Sequence, residues 1–324
     1  MEKKDLRIVY MGTPEFAVES LRVLVEGGYN IVAVVTMPDK PAGRGHKLQS
    51  SPVKQYAEEQ GLRLLQPERL KDETFLSELK ALHADLQIVV AFRMLPEVVW
   101  AMPRYGTFNL HGSLLPQYRG AAPINWAIIN GETETGVTTF FLQHEIDTGN
   151  IILQERTPIA PEDDLGTIYD RLMKMGAGLV LKTVEAIRSG EVKETPQRET
   201  GSLRLAPKIY KTTSRLDFNR NAEDLHNLVR GLSPYPAAWA ELETSNGQRV
   251  VMKVYRTSAE KAEPTEPVGT LVSDGKKMLK VACRDGYLHL KEVQMAGKKR
   301  MSVRDLLCGF HPEGVRIVTE KVIE

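Results

Sequence analysis

The first 190 residues alternate short, continuously apolar stretches with amphipathic ones, and this alternation constrains the fold more than anything else in the chain. Residues 7–11, Arg-Ile-Val-Tyr-Met, lead through Gly12-Thr13-Pro14-Glu15 into a helical pattern that lasts to about Glu26. Thr13 as N-cap, Pro14 at the first helical position and Glu15 in the first turn would start that helix well. Strand and helix then recur: strand Ile31–Thr36, helix Val53–Gln60, strand Leu62–Gln66, helix Asp72–His83, strand Leu86–Ala91. Further strands are expected at about Thr107–His111, Val137–Leu142 and Ile151–Ile159, and a long helix from about Thr167 to Arg188. Strands without a polar face must be covered on both sides, as when helices cross over between parallel strands. The fold class expected for residues 1–190 is therefore α/β, a doubly wound, mostly parallel, Rossmann-like sheet.

The pattern changes after Gly190. Glu191-Val192-Lys193-Glu194-Thr195-Pro196-Gln197 is polar, and residues 191–207 read as a linker. A helix near Ala222–Gly231 follows, and then the apolar period becomes two at Trp239–Thr244, Arg249–Thr257, Gly269–Val272, Met278–Cys283 and Tyr287–Val293. Asn-Gly, Asp-Gly and Pro-rich turns separate these runs, which predicts a small antiparallel, OB-like β-barrel over residues 208–324.

Charge divides along the same boundary. Residues 208–324 carry 20 Lys/Arg against 15 Asp/Glu, whereas residues 1–207 carry 23 against 27, so the second part is the candidate for meeting a polyanion. No apolar run approaches the ~20 residues a membrane span needs, and no secretory leader pattern opens the chain, which places the protein in the cytoplasm away from membranes. Cys283 and Cys308 lack the spacing of a zinc site or a disulfide framework and are expected to be buried, inert thiols. The first strand-to-helix turn lacks the GxGxxG pattern, and no Gly-rich loop ends in Gly-Lys-Ser/Thr, so nucleotide-dependent chemistry loses its main support.

Two polar clusters remain. In Gly106-Thr107-Phe108-Asn109-Leu110-His111, residues two apart share a strand face, so Asn109 and His111 project together at the carboxyl end of a strand, where open α/β sheets bind ligands. Such a pair is either a satisfied polar pair at a strand end or a site. The second cluster, Gln143-His144-Glu145-Ile146-Asp147-Thr148-Gly149, follows the next strand, and its Asp147 either caps a turn or completes that site.

The run Asn109-x-His111-x-Ser113-Leu114-Leu115-Pro116, the following Tyr118-Arg119-Gly120 and the turn Ile146-Asp147-Thr148-Gly149 resemble the folate-dependent formyltransferases. Met11-Gly12-Thr13-Pro14-Glu15-Phe16-Ala17, the insertion Pro38-Asp39-Lys40-Pro41-Ala42-Gly43-Arg44-Gly45 and the C-terminal barrel extend the likeness from end to end, toward the members that formylate an initiator tRNA. One segment departs from the family pattern: Ala91-Phe92-Arg93-Met94-Leu95-Pro96 stands where Ala-Tyr/Phe-Gly is usual.

The resemblance implies transfer of a formyl group from the co-substrate 10-formyltetrahydrofolate to the amine of a methionyl initiator tRNA, without a metal, by a monomeric cytoplasmic enzyme of translation initiation. It implies Asn109 as donor to the developing oxyanion, His111 as second donor or proton relay, and Asp147 as the group that orients and charge-stabilises the imidazole or accepts protons through water. Ser113, Leu114, Leu115 and Pro116 would wall the folate site. The basic insertion Met37–Lys54 would enter the tRNA acceptor stem through Lys40, Arg44 and Lys47. Eight Lys/Arg between residues 276 and 300 would follow a nucleic-acid backbone on the barrel. Two other readings stay open: a sibling formyltransferase acting on a small amine, and a non-catalytic RNA-binding protein.

Overall fold

The computed structural model describes residues 1–42, 47–199 and 201–318. The chain forms two compact units. The first contains Met1–Pro123, Thr135–Thr157 and Tyr169–Ala206, and the second contains Ile124–Glu134, Pro158–Ile168 and the residues from Pro207 onward.

In chain order the first unit begins with β1 (Arg7–Gly12), α1 (Glu15–Glu26), β2 (Asn30–Val35), β3 (Lys40–Ala42), β4 (Lys47–Gln49), α2 (Pro52–Glu59), β5 (Leu64–Leu65) and α3 (Glu73–Ala81). It continues with β6 (Leu86–Val90), α4 (Glu97–Trp100), β7 (Thr107–His111) and β8 (Arg119–Gly120). After α5 (Pro123–Ile129), which from Ile124 belongs to the second unit, come β9 (Glu134–Phe141), β10 (Ile151–Pro158), α6 (Leu165–Ser189) and β11 (Leu205–Ala206). Seven strands form one sheet in the order β10-β9-β7-β6-β1-β2-β5. The pairs β1/β2, β1/β6, β2/β5 and β6/β7 are parallel, while β9 runs antiparallel to β7 with Phe108 opposite Phe141 and His111 opposite Thr138. Ile8, Val9, Tyr10 and Met11 are all fully buried, as a strand covered on both faces requires. The order reverses between β1 and β6, because the chain builds β2 and β5 to one side before returning to β6 and β7 on the other. Ligand crevices of open sheets form at the carboxyl ends of strands beside such a reversal.

Three local expectations need correction. Thr13 does not cap α1: Pro14 occupies the cap position, no side chain accepts there, and the buried Thr13 Oγ1 has no partner among the described residues. The insertion after β2, whose length and Pro and Gly content read as a loop, is more than that, since β3 and β4 pair antiparallel. At its base the Lys54 ammonium donates to Asp39 at 2.7 Å, and Gln66 Nε2 donates to the other carboxylate oxygen at 3.0 Å. Lys54, aided by Gln66, holds the Asp39 carboxyl below its ordinary pKa. The third correction concerns the thiols: Cys283 is buried as expected, but Cys308 is exposed.

Of residues 191–207, read as a linker, 191–199 and 201–206 belong to the first unit. Thr195 exchanges backbone hydrogen bonds with Ile151 at 2.8 Å in each direction, and β11 pairs parallel with β8.

The second unit comprises α7 (Ala222–Leu232), β12 (Ala238–Glu243), β13 (Arg249–Lys261), β14 (Leu271–Ser273), β15 (Leu279–Cys283), β16 (Gly286–Met295), β17 (Met301–Ser302), α8 (Val303–Leu307) and β18 (Arg316–Ile317). Its sheet runs β14-β15-β16-β13-β12-β18, with β17 on β16, and a Thr270–Arg316 bridge joins the two edges into a nearly closed barrel. Leu225, Leu228, Val229 and Leu232 of α7 bury their side chains against Ala240, Met252, Val281 and Leu288 of the strands. Ile129 of α5 joins the same core, and Asn125 donates to the Gly231 carbonyl at 2.8 Å. Within the basic run of the barrel, Lys280 pairs with Glu260 and Arg300 with Glu292, whereas Arg284 donates to Asn221. No helix among the described residues is long and apolar enough to cross a membrane.

Candidate functional site

β7 supplies the first two side chains. Its sequence Thr-Phe-Asn-Leu-His buries Thr107, Phe108 and Leu110, while Asn109 stays half-buried and His111 closes the strand at 6% exposure. Among the described residues the Asn109 side-chain amide has no hydrogen-bond partner. An Asn in a strand interior is unfavourable for packing, and its amide carries two donor hydrogens.

His111 is fixed by its surroundings. Its Nε2–H donates to the Tyr118 carbonyl at 2.8 Å, and the ring meets Phe140 edge-on with centroids 6.4 Å apart. A carbonyl only accepts, so the neutral ring carries its proton on Nε2 and leaves the lone pair on Nδ1. That Nδ1 faces Asp147 Oδ2 at 3.9 Å, beyond a hydrogen bond. The hydrogen bond that orients the ring thus comes from Tyr118, and the charge beside it comes from Asp147.

Asp147 reaches this place on the loop between β9 and β10. Its φ is +56°, a left-handed conformation that Asp tolerates better than most residues, and the Gly120 N–H donates to its Oδ2 at 2.9 Å. Leu142 N–H donates to the Thr107 carbonyl and Phe141 N–H to the Asn150 carbonyl, so both ends of the loop are tied to the sheet. Gly149 permits this closure because a Cβ there would lie 1.6 Å from the Phe141 carbonyl oxygen. Gly149→Ala is therefore expected to force the loop open at a cost of about 1–3 kcal/mol, read as a lower melting temperature together with reduced turnover. A variant as stable and as fast as the parent would show that the loop relaxes without harm.

Tyr118-Arg119-Gly120, noted in the sequence without a role, serves the whole cluster. Tyr118 at φ +62° turns its carbonyl to His111, and Gly120 at φ +125° turns its N–H to Asp147. A side chain on Gly120 would come within 2.5 Å of the Ala206 carbonyl. Arg119 donates through Nε and Nη2 to Gln197 Oε1, at 3.1 and 2.8 Å. These are mostly backbone contributions, which leave no residue-type signature beyond the glycine.

The segment expected to wall the folate site divides by burial. Ser113 is fully buried and donates to the Gln117 carbonyl at 2.6 Å, and Leu115 is buried in the core, whereas Leu114 and Pro116 are half-buried. Thr138 Oγ1 donates to the Ser113 carbonyl and accepts from Leu115 N–H, which fixes this turn to β9.

In the segment that departs from the family pattern, Arg93 donates to the Glu68 carbonyl at 2.7 Å and to the Pro67 carbonyl. Its Nε is buried without a partner among the described residues, and burial lowers its pKa. Arg93, Met94, Leu95 and Val98 line a cavity of about 680 Å³ with Leu70 and Lys71.

Lys40, exposed in β3, borders a second cavity of about 420 Å³ between the starts of α1 and α2, lined also by Thr13, Pro14, Ser51 and Pro52. Lys47 lies in β4, and Arg44 lies outside the described residues. Among the described residues no group of three or more His, Cys, Asp and Glu is placed to hold a metal ion.

Comparison with known proteins agrees with this architecture. Residues 6–184 match the formyl transferase family, and residues 208–311 match the formyl transferase C-terminal domain. The methionyl-tRNA formyltransferase of Bacteroides thetaiotaomicron is 62% identical over 313 residues, covering 96% of this chain and 97% of that protein. The protein of the same name from Porphyromonas gingivalis is 50% identical, again covering 96% and 97%. Among solved structures, the N-formyltransferase of Helicobacter canadensis, in complex with folinic acid and dTDP-3-aminofucose, shares the fold with a TM-score of 0.62 at 19% identity, covering 93% of this chain and 100% of that one. HypX of Aquifex aeolicus in complex with tetrahydrofolic acid gives a TM-score of 0.60 at 20% identity, covering 93% of this chain and 46% of that one. With both of its parts matched by the family and curated relatives at 50–62% identity over nearly the whole length, the chain belongs to the formyl transferases.

Proposed function

We propose that this chain transfers the formyl group of 10-formyltetrahydrofolate to the α-amino group of methionyl initiator tRNA, the step that prepares the tRNA for translation initiation. The observation that carries the reading is the 62% identity, spanning 96% of the chain and including the barrel, to a protein named methionyl-tRNA formyltransferase. A merely RNA-binding protein would have no use for a buried histidine held beside a carboxylate.

The site residues have complementary tasks in this reaction. The free amine of the methionyl group attacks the formyl carbon, a new C–N bond forms, and the carbonyl oxygen becomes an oxyanion. The Asn109 amide donates to that oxygen. Donors of this kind are worth about 10²–10³ in rate because they are already aimed where charge develops. His111 Nδ1 takes the proton from the attacking nitrogen, the resulting imidazolium is stabilised by Asp147, and the proton passes to N10 as the bond from N10 to the formyl carbon breaks. Tetrahydrofolate and the formylated aminoacyl-tRNA leave, and both charges and atoms balance. Ser113, Leu114, Leu115 and Pro116 form one wall of the folate site, with Leu114 and Pro116 giving contact surface and the other two holding the turn. Lys40, Arg44 and Lys47 of the hairpin insertion engage acceptor-stem phosphates, and the enzyme works as a cytoplasmic monomer.

The decisive experiment is a turnover assay with 10-formyltetrahydrofolate and charged initiator tRNA, alongside free methionine and a nucleotide-linked aminosugar as acceptors. Release of tetrahydrofolate with the charged tRNA alone is the expected result, with binding that weakens steeply as salt rises. Binding of tRNA without release of tetrahydrofolate would sink the enzyme reading, and turnover with the aminosugar would reassign the acceptor.

A further inference from the structure

The carboxylate of Asp147 is held by its own turn, and the turn is held by a residue 50 positions further along the chain. Gln197 Nε2 donates to the carbonyls of Asp147 and Gly149, both at 2.8 Å. Its Oε1 accepts the paired Nε and Nη2 donors of Arg119 at 3.1 and 2.8 Å, so the whole amide is occupied. The antiparallel bridge between Thr195 and Ile151 fixes the register of this segment against the loop, and Asn150 donates to Glu194 at 3.0 Å beside it. An Asp at φ +56° persists only where its surroundings over-determine it. Here the flanking carbonyls are both tied to one amide, and that amide is tied to Arg119, whose neighbour Gly120 donates to the Asp147 carboxylate at 2.9 Å.

We propose that Gln197 is a positioning residue of the reaction: by clamping the Asp147–Gly149 turn to Arg119, it fixes the carboxylate at its distance from His111 Nδ1. This rests on the reading above, in which Asp147 stabilises the protonated imidazole. The Gln197 amide is fully taken up by the turn and by Arg119, so it acts through Asp147. Displacing a charged group by about an ångström costs up to about 10²-fold in rate even when the chemistry itself is untouched.

The test is steady-state kinetics on Gln197→Ala, Gln197→Glu, Asp147→Ala and the Gln197→Ala/Asp147→Ala double variant, with thermal melts on each. Gln197→Ala is expected to lose roughly 10–10²-fold in kcat with the KM for both substrates unchanged, and to melt at a lower temperature because two carbonyls lose their donor. Gln197→Glu keeps the size and the acceptor for Arg119 but sets an oxygen against two carbonyls, so it is expected to be at least as slow; it also carries the test should the alanine variant fail to fold. In the Asp147→Ala background, Gln197→Ala should change kcat by less than roughly twofold, because coupled residues lose their effects together. A normal kcat in Gln197→Ala beside a crippled Asp147→Ala would overturn the proposal alone, as would full activity in Gln197→Glu or losses that multiply in the double variant. Full turnover by Asp147→Ala would instead overturn the site reading beneath it, and the proposal with it.

Discussion

Replacing His111 with alanine is expected to lower kcat for formyl transfer by about 10²–10⁴-fold, the range of a positioned general acid or base, while the affinity for charged tRNA stays as it was. The geometry separates two contributions of this ring. Nε2–H satisfies the buried Tyr118 carbonyl at 2.8 Å, which is a structural service, and Nδ1 meets Asp147 at 3.9 Å, which is the chemical one in the proposed mechanism. Truncation to alanine removes both, and the orphaned carbonyl costs about 1–3 kcal/mol of stability. His111→Gln keeps a donor amide within reach of Tyr118 but places no basic nitrogen beside Asp147. It is therefore expected to recover most of the melting temperature and none of the turnover. Activity that returns together with stability in the glutamine variant would show that the histidine is only a strut.

The elements of this fold were legible to different degrees for identifiable reasons. The strand expected at residues 7–11 is β1, and the period-two runs are the strands of the barrel, each displaced by few residues, because apolar period and burial are the same information. Asn109 and His111 share a strand face as their spacing required. Pro-rich text hid the hairpin of β3 and β4, whose pairing depends on a partner strand rather than on propensity. Residues 124–134 and 158–168 join the second unit although they lie inside the span read as one domain, and no local pattern announces such an exchange. The support of the site was least visible of all. Tyr118 acts through its carbonyl, Gly120 through its N–H, and Gln197 from a stretch whose composition suggests only a linker. A backbone group has the same chemistry whatever side chain it carries, so only coordinates can assign it.

Asn109→Ala should show the second large loss, about 10²–10³-fold in kcat, and it should come almost without loss of stability. The side chain is half-buried and bonded to nothing among the described residues, so its removal strands no partner and opens no sealed cavity. Substitutions away from such features stay within about 0.5 kcal/mol. A loss of rate without a loss of folding would identify the amide as a group kept for the transition state. The isosteric Asn109→Asp separates position from charge. It preserves shape but sets a carboxylate against the oxygen on which negative charge develops, and so it is expected to fall below the alanine variant. An aspartate variant faster than alanine, or one whose rate equals the parent's, would mean that residue 109 does not donate to the oxyanion, and the stabilising group would have to be sought elsewhere along the crevice.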